Sequence, residues 1–452
     1  MSEKLPDNSD DIAGRPMKRV FRNTLLLLGS QAFSNCTMLA KGIIIVRAIS
    51  ADEYGTLVLA IAYVLTVEKL MDCKTWETIS KYIPDFIERN DKRRATATLQ
   101  LCCGIELVTG LLGMLAVWCT GEWAAELFVR TPGGAELIWL ASLLLALRIP
   151  NEAISALLRV ADRYDLIVGQ RAIASVFELS AVAIVCWISP NVKSLLCTQL
   201  ICAAVAALVF LVLGVRVASH LGLRLRPSFS IAPLHDRRRE FVQFVILANI
   251  TSSGKIVKHC ATLLLGLICP PAAVAAYHLA KRLVGIGTSL SATMNHTTFP
   301  EIAKLAAAQQ IHALHKLQWR LTLIILSVVL PACVLATILA PWIISVLVGG
   351  EYAQAILPLQ ILVWSWLSIS LFWFRPYLLV SGRAKTAAAF SCINKTIYIL
   401  SFVILTHAYG IVGAATAVSF HAIVRIVLAT VVLRFINKGV TVPQEHRLGH
   451  AV

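Results

Sequence analysis

The sequence predicts an all-α polytopic membrane protein of about twelve transmembrane helices, arranged as two six-helix lobes related by an internal repeat. Composition is the first reason: 452 residues that are 58% hydrophobic and only 15% charged are too apolar for a soluble globular chain of this size. The second is that apolar runs of about 20 residues, each long enough to cross a bilayer as a helix, recur along the whole chain. The third is a weak echo between the halves. The stretch FRNTLLLLGSQAFSNCTMLAKGIIIVRAISADEY, Phe21 to Tyr54, returns 220 positions later as FVQFVILANITSSGKIVKHCATLLLGLICPPAAVAAY, Phe241 to Tyr277. Both copies open on an aromatic residue, pass through a small-polar centre and end near a tyrosine, and each carries fixed positive charge, Lys41 in one and Lys255 with Lys258 in the other.

Taken in order, the spans are expected near 23–49, 55–79, 96–118, 135–158, 166–188 and 194–215, then near 241–268, 273–298, 318–347, 354–380, 386–406 and 411–436. The longest basic connector, SHLGLRLRPSFSIAPLHDRRRE from Ser219 to Glu240, separates the two sets. The expected organisation is therefore a tail over 1–22, an N-terminal lobe over 23–218, the connector over 219–240, a C-terminal lobe over 241–437 and a tail over 438–452. Pro84, Pro150, Pro300, Pro331 and Pro376 fall within or at the ends of spans, as hinges or helix ends. Trp118, Trp123, Trp187 and Trp342 lie near span ends, where interfacial aromatic anchors belong.

Lysine and arginine set the orientation. With the N-terminus inside, the cytoplasmic segments hold Lys18, Arg19 and Arg22, the cluster from Lys81 to Arg94, Arg159 and Arg163, the connector arginines, Lys304, Lys316, Arg383, Lys385 and Lys438. The opposite loops offer only Arg130 and Lys193, beside the acidic stretches SADEY and TGEWAAELF. Both termini are expected in the cytoplasm. The polar N-terminal tail lacks the apolar core of a signal peptide. The net charge of +16 is accounted for by these loops, so nucleic acid is not an expected partner. Most of the 12 cysteines sit in apolar runs with no C-x-x-C pair, which reads as small buried hydrophobes rather than metal ligands or disulfides. No H-E-x-x-H, Walker A or G-x-S-x-G pattern is present, so neither catalysis nor a cofactor is expected; GIGTS, Gly285 to Ser289, reads as a close-packing surface.

Ionisable groups inside spans cost about 2.5–3.5 kcal/mol each near the centre, so they face protein or water. In the N-terminal half each cation has an acidic neighbour: Glu68, Lys69, Asp72 and Lys74 cluster on the second helix, Arg148 and Glu152 are four apart on the fourth, and Arg171 and Glu178 are seven apart on the fifth. Two readings stay open. The pairs glue helices together, or Glu68, Asp72 or Glu106 exchanges a proton and couples an ion to the protein's work. Between Phe241 and Asn437 the only carboxylates are Glu301 and Glu351, both outside the expected spans. Lys255, Lys258, Lys395 and Arg425 fall near mid-helix there, and facing lipid with all of them would cost on the order of 10 kcal/mol. A wet cavity or an anion is the expected surrounding. Lys281, Arg282 and Arg375, nearer span ends, can snorkel. His278 and His421 read as packing residues before they read as titrating ones.

Four short motifs, VRAISADEYG (Val46 to Gly55), FPEIAKL (Phe299 to Leu305), GGEYAQAILPLQIL (Gly349 to Leu362) and YGIVGAATA (Tyr409 to Ala417), occur in an order and spacing that resemble the polysaccharide-type, Wzx-like flippases of the multidrug/oligosaccharidyl-lipid/polysaccharide (MOP) exporter superfamily. The similarity runs over roughly residues 20 to 437. It implies a MATE-like fold of two six-helix lobes around a cavity lined by the first, second, seventh and eighth helices. It also implies movement of an undecaprenyl-diphosphate-linked oligosaccharide from the cytoplasmic to the periplasmic leaflet of a bacterial inner membrane. The lipid-linked oligosaccharide and membrane lipids are the implied partners, with a polysaccharide polymerase and other synthesis proteins beside them. The idea of a cationic lumen transfers to Lys41, Lys255 and Lys258, and the charge inventory adds Lys395 and Arg425. Two rivals fit the same composition: a cation-coupled drug exporter, for which a carboxylate in the first or seventh span would be expected, and a non-transporting scaffold of a polysaccharide-synthesis complex.

Overall fold

The protein's structure, a computed structural model, describes residues 9–71, 73, 75–149, 151–224, 256–285, 287, 311–374, 377–378 and 383–440. Among them every regular element is helical. In order these are α1 (Ser9–Ala48), α2 (Ala51–Met71), α3 (Thr75–Glu88), α4 (Lys92–Ala124) with a π turn (Ala125–Val129), α5 (Gly134–Arg148), α6 (Asn151–Val160), α7 (Tyr164–Ile188), α8 (Val192–His220), α9 (Ile256–Ile268), α10 (271–285), α11 (Ile311–Leu347), a 3-10 turn (Gly350–Ala355), α12 (Ile356–Val363), a second 3-10 segment (Trp364–Leu371) and α13 (Ala384–Val440).

Eight of the described stretches are long and apolar enough to cross a membrane. One of them, within α13, is two passes. Gly410 has φ 58 and ψ −133, a conformation closed to residues with a Cβ, and a Cβ on Gly413 would lie 1.7 Å from the Leu405 carbonyl oxygen. The chain turns back there. Tyr398 and His421 would be about 34 Å apart on a straight helix, yet their rings meet at 5.0 Å. With α1, α9 and α10 the described helices follow the order of twelve passes, and the chain is an all-α polytopic membrane protein.

Two compact units divide the chain, Met1–His278 with Leu347–Glu351, and Leu279–Val346 with Tyr352–Val452. In the first, α1 packs along α7, α2 against α4, α5 and α9, α3 against α4 and α6, and α8 against α5, α6 and α7. One core joins Ile79, Ile83 and Phe86 of α3 to Leu99 and Cys102 of α4 and Leu157 of α6; another joins Ile154, Ile167, Phe210 and Val217. Helices α3, α6 and α8 end alike. Asn90, Asp162 and Gly222 take left-handed φ of 59, 56 and 72, and the next amide donates back to Phe86, Leu158 and Ala218 at 2.8–2.9 Å. Asn, Asp and Gly are the residues that tolerate this terminal conformation. In the second unit Ile325, Ile369, Phe372, Phe374 and Leu378 pack with Ala387 and Ala429 of α13. GIGTS there does bring helices close: a Cβ on Gly287 would sit 2.3 Å from the Trp366 ring, whose Nε1 donates to Val284 O at 2.9 Å.

Several expectations need correction. The second span is not one helix over 55–79: α2 is described to Met71, Cys73 is non-helical and α3 starts afresh at Thr75, while Asp72 and Lys74, and with them the expected Lys69–Asp72 pair, lie outside the described residues. The fourth span, expected near 135–158, is found at Gly134–Val160 and comprises α5 and α6, with Pro150 between them outside the described residues. SADEY is not a loop. Ser50 N and Oγ both donate to Glu53 Oε2 at 3.0 Å while Glu53 N donates to Ser50 Oγ at 3.3 Å, a capping box that starts α2 at Ala51.

Candidate functional site

The motif residues around 46–55 turn out to be structural. Arg47 donates to Leu347 O at 2.8 Å, Ala51 N to Glu351 Oε1 at 3.1 Å, and Ala272 N to Asp52 Oδ1 at 3.1 Å. Residues 52 and 272 are separated by the repeat offset of 220, so the start of α2 in one copy caps the start of α10 in the other. Tyr54 OH lies 3.1 Å from His278 Nδ1, and the two rings meet edge to face at 6.0 Å. Glu351, expected outside the spans, is a backbone acceptor in the same junction.

Charge concentrates elsewhere in the first unit. Along the α1–α7 contact runs a polar seam: Arg171 Nη1 donates to Gln31 Oε1 at 3.3 Å, Ser175 Oγ to Ser34 Oγ at 3.4 Å, and Lys41 Nζ to Glu178 Oε1 at 2.5 Å. The spacing of 31, 34 and 41 against 171, 175 and 178 keeps each set on one helix face. Lys41 is thus held by Glu178, and the expected Arg171–Glu178 pair within the fifth span is not found among the described residues; the two residues engage different positions of α1.

Glu68 joins two cations. Its Oε1 accepts from Lys69 at 3.1 Å and its Oε2 from Arg148 at 2.9 Å. The expected Arg148–Glu152 pair is not found among the described residues, where Arg148 pairs with Glu68. Glu106, buried in α4, accepts from the Thr75 hydroxyl. These carboxylates border a small cavity of about 70 Å³ lined by Glu68, Glu106, Arg148 and Glu152.

Arg148 and Glu152 also border a second, larger space of about 550 Å³ between α5, α6, α7 and α8. Its polar lining is mainly cationic: Arg148 from the end of α5, Arg159 from α6 and Arg171 from α7, with Asn151 and Gln170 between them. Arg159 is exposed, has no ion pair among the described residues, and its charge bears on Arg171. By contrast Arg163, in the α6–α7 turn, is occupied by two 3.1 Å bonds to Asp165, whose hydrogen bonding and charge hold its guanidinium above the ordinary range.

Of the residues expected to form a cationic lumen, Lys255 lies outside the described residues, and Lys258 belongs to α9 with its side chain outside them. Lys395 is exposed and Arg425 half-buried on α13, and neither has an ion pair among the described residues. Lys41 lies in the first unit and Lys395 and Arg425 in the second. The reasoning from sequence assigned Arg148 and Arg171 to structural pairs and Arg159 to a loop, and so missed the cavity. A signal was there: Arg148 and Arg159 are eleven residues apart, close to three helical turns, and so share a face.

The fold is that of the MOP superfamily. An inward-facing multidrug resistance MATE family transporter superposes with a TM-score of 0.69 at 14% identity, over 90% of this chain and 96% of that one. The lipid II flippase MurJ, inward closed, gives 0.70 at 12% identity over 90% and 87%. A MOP superfamily transporter from Pyrococcus furiosus, described by the reverse polarity of its binding pocket, gives 0.60 at 14% over 96% and 100%. No curated protein matches in a search by sequence. A family model described as polysaccharide biosynthesis protein matches residues 44–357, well over half of the chain, and the chain belongs to that family.

Proposed function

We propose that this protein is a flippase that carries an anionic, undecaprenyl-diphosphate-linked oligosaccharide from the cytoplasmic to the periplasmic leaflet of a bacterial inner membrane, by alternating access. The product feeds a cell-surface polysaccharide such as O-antigen, exopolysaccharide or capsule, with a polymerase as the downstream partner. Both termini are assigned to the cytoplasm from the lysine and arginine distribution.

The observation that carries this reading is the stretch Thr386–Phe435, long and apolar enough to cross the bilayer, which holds Lys395 and Arg425 and no carboxylate. Cations inside the membrane without acidic partners suit an anionic cargo. A sugar headgroup loses many hydrogen bonds to water on entering hydrocarbon, so it needs a wet path while its lipid tail stays in the bilayer. Lys41, Lys255, Lys258, Lys395 and Arg425 are the proposed cationic lining of that path. Two negative charges moving outward through an inside-negative membrane gain about 4.6 kcal/mol per 100 mV if unneutralised, so the potential alone is a sufficient bias. A drug exporter coupled to cations is disfavoured, because α1 carries Lys41 and has no carboxylate between Arg22 and Ala48.

The test is translocation of a fluorescent lipid-linked oligosaccharide in proteoliposomes. The wild-type chain is expected to move it to the opposite leaflet, and Lys255→Ala with Lys258→Ala to slow it at least about tenfold, the equivalent of roughly 1.4 kcal/mol. No translocation above empty liposomes would overturn the flippase reading; full rate in the double variant would remove the lysines from it.

A further inference from the structure

We propose that the space between α5, α6, α7 and α8 is a phosphate-class anion site within the first unit, in which Arg159 and Arg171 hold the diphosphate of an amphiphile and Arg148 is shared between that anion and Glu68. The inference rests on the flippase reading for its cargo, and the site itself rests on four observations. The space, about 550 Å³, is large enough for a diphosphate with its first attached groups. Three guanidinium side chains line it against one carboxylate, Glu152. Arg159 has no ion pair among the described residues, and it bears on Arg171 as a like charge, an arrangement that an anion between them would relieve. Asn151, on the same lining, has a buried Oδ1 with no hydrogen-bond partner among the described residues; with its amide turned over, the same atom position donates.

The chemistry favours phosphate over other anions. Guanidinium is planar, stays charged at any working pH and meets phosphate oxygens with paired N–H donors, which a lysine point charge does not. The positions form a graded path. Arg159 stands one residue before the end of α6, next to the turn that the left-handed Asp162 reverses. Arg171 is seven residues into α7, about 10 Å along its axis, and Arg148 stands at the far end, where α5 finishes. An anion entering at the turn meets Arg159 first, then Arg171, and reaches Arg148 last. Arg148 is the one cation that borders both this space and the smaller one holding Glu68 and Glu106. An anion that draws Arg148 across must do so against Glu68, so occupancy of the larger space is felt in the smaller.

The experiment is equilibrium binding to the full chain in phosphatidylcholine nanodiscs, with farnesyl diphosphate, inorganic pyrophosphate and nanodiscs containing phosphatidylglycerol as separate arms. Farnesyl diphosphate is expected to bind, and Arg159→Gln with Arg171→Gln to weaken it at least tenfold. Arg163→Gln, which removes an equal charge one turn away but outside the lining, is expected to leave it unchanged. Pyrophosphate alone competing as well as farnesyl diphosphate would reassign the site to a soluble anion; displacement of the probe by phosphatidylglycerol would reassign it to a bulk lipid headgroup, and either overturns the amphiphile cargo. Unchanged binding in the arginine double variant, or equal loss in Arg163→Gln, overturns the site. Should the double variant fail to fold, Ser155→Cys on the cavity lining gives a second reading: farnesyl diphosphate is expected to slow its modification by a water-soluble maleimide, located by peptide mass spectrometry, and unslowed labelling overturns the site. Binding without translocation would leave the site standing and the flippase reading lost, whereas translocation at full rate with binding unaffected by the arginines would do the reverse.

Discussion

Arg148 Nη1 donates to Glu68 Oε2 at 2.9 Å, and this single bond ties the end of α5 to the end of α2 across the wall between the carboxylate-lined and arginine-lined spaces. Glu68 is the more enclosed partner, its side chain 19% exposed against 48% for Arg148. Removing the carboxylate therefore frees a cation that already reaches the larger space. Glu68→Gln is expected to tighten farnesyl diphosphate binding about three- to tenfold while lowering thermal stability by about 1 kcal/mol. Arg148→Gln is expected to weaken binding. Binding isotherms and melting curves of the two variants in the same nanodiscs check both signs.

The Lys41–Glu178 pair calls for a different expectation, because both members are largely enclosed at 16% and 33% side-chain exposure. A charge stranded in such surroundings costs more than the pair contributes, so each single change, Lys41→Met or Glu178→Leu, is expected to destabilise by about 3 kcal/mol. The double change is expected to recover most of that loss, so that a double-mutant cycle of melting curves shows strongly non-additive losses. Two additive losses would contradict the pairing. Transport measured alongside separates the roles: if Lys41 also serves the cargo, the stable double variant stays slow.

What could be read in the sequence, and what could not, follows from the range of the forces involved. Apolar length and the lysine and arginine distribution report on single helices and their ends, so α7 and α8 fall where expected. The break between α2 and α3 falls within the charged cluster Glu68, Lys69, Asp72 and Lys74, which spacing alone reads as ion pairing inside one span rather than as the end of a helix. The pairings of Arg148 with Glu152 and of Arg171 with Glu178 rested on spacing alone, and contacts between helices stand in their place: Glu68 with Arg148, Glu178 with Lys41, Arg171 with Gln31. Which helices are neighbours is a tertiary fact with no local signature. The cavity lined by Arg148, Arg159 and Arg171 depends on that fact, and on the α6–α7 reversal at Asp162.

Glycine packing gives a prediction of opposite signs at two positions. A Cβ on Gly55 would lie 1.9 Å from the carbonyl oxygen of Pro271, a backbone atom that cannot swing aside. Gly55→Leu is expected to destabilise by about 3 kcal/mol, at the upper end for overpacking. A Cβ on Gly29, inside α1, meets nothing within 4 Å. Gly29→Ala is expected to stabilise by about 0.5–1 kcal/mol, since alanine loses less backbone freedom in a helix. Melting temperatures of the purified variants decide both, and stabilisation by Gly55→Leu would contradict the close crossing of α2 and α10.

The junction at Ser50 to Asp52 can be separated into its local and tertiary parts. The side-chain bonds of Ser50 and Glu53 among the described residues close on each other within one turn, so Ser50→Ala is expected to cost about 1 kcal/mol through loss of the cap on α2. Asp52 acts at a distance, accepting from Ala272 N at the start of α10. A carboxylate at a helix N-terminus contributes about 0.3–1 kcal/mol through the aligned backbone dipoles and one charge-assisted bond. Asp52→Asn keeps an acceptor oxygen without the charge, and is expected to lose less than Asp52→Ala. The readout that distinguishes them is hydrogen exchange. Ser50→Ala should raise exchange at the first turn of α2 alone, whereas Asp52→Ala should raise it at Ala272 and its neighbours, 220 residues away, and leave the first turn of α2 protected. Exchange confined to α2 in both variants would mean that the capping of one repeat by the other does not hold.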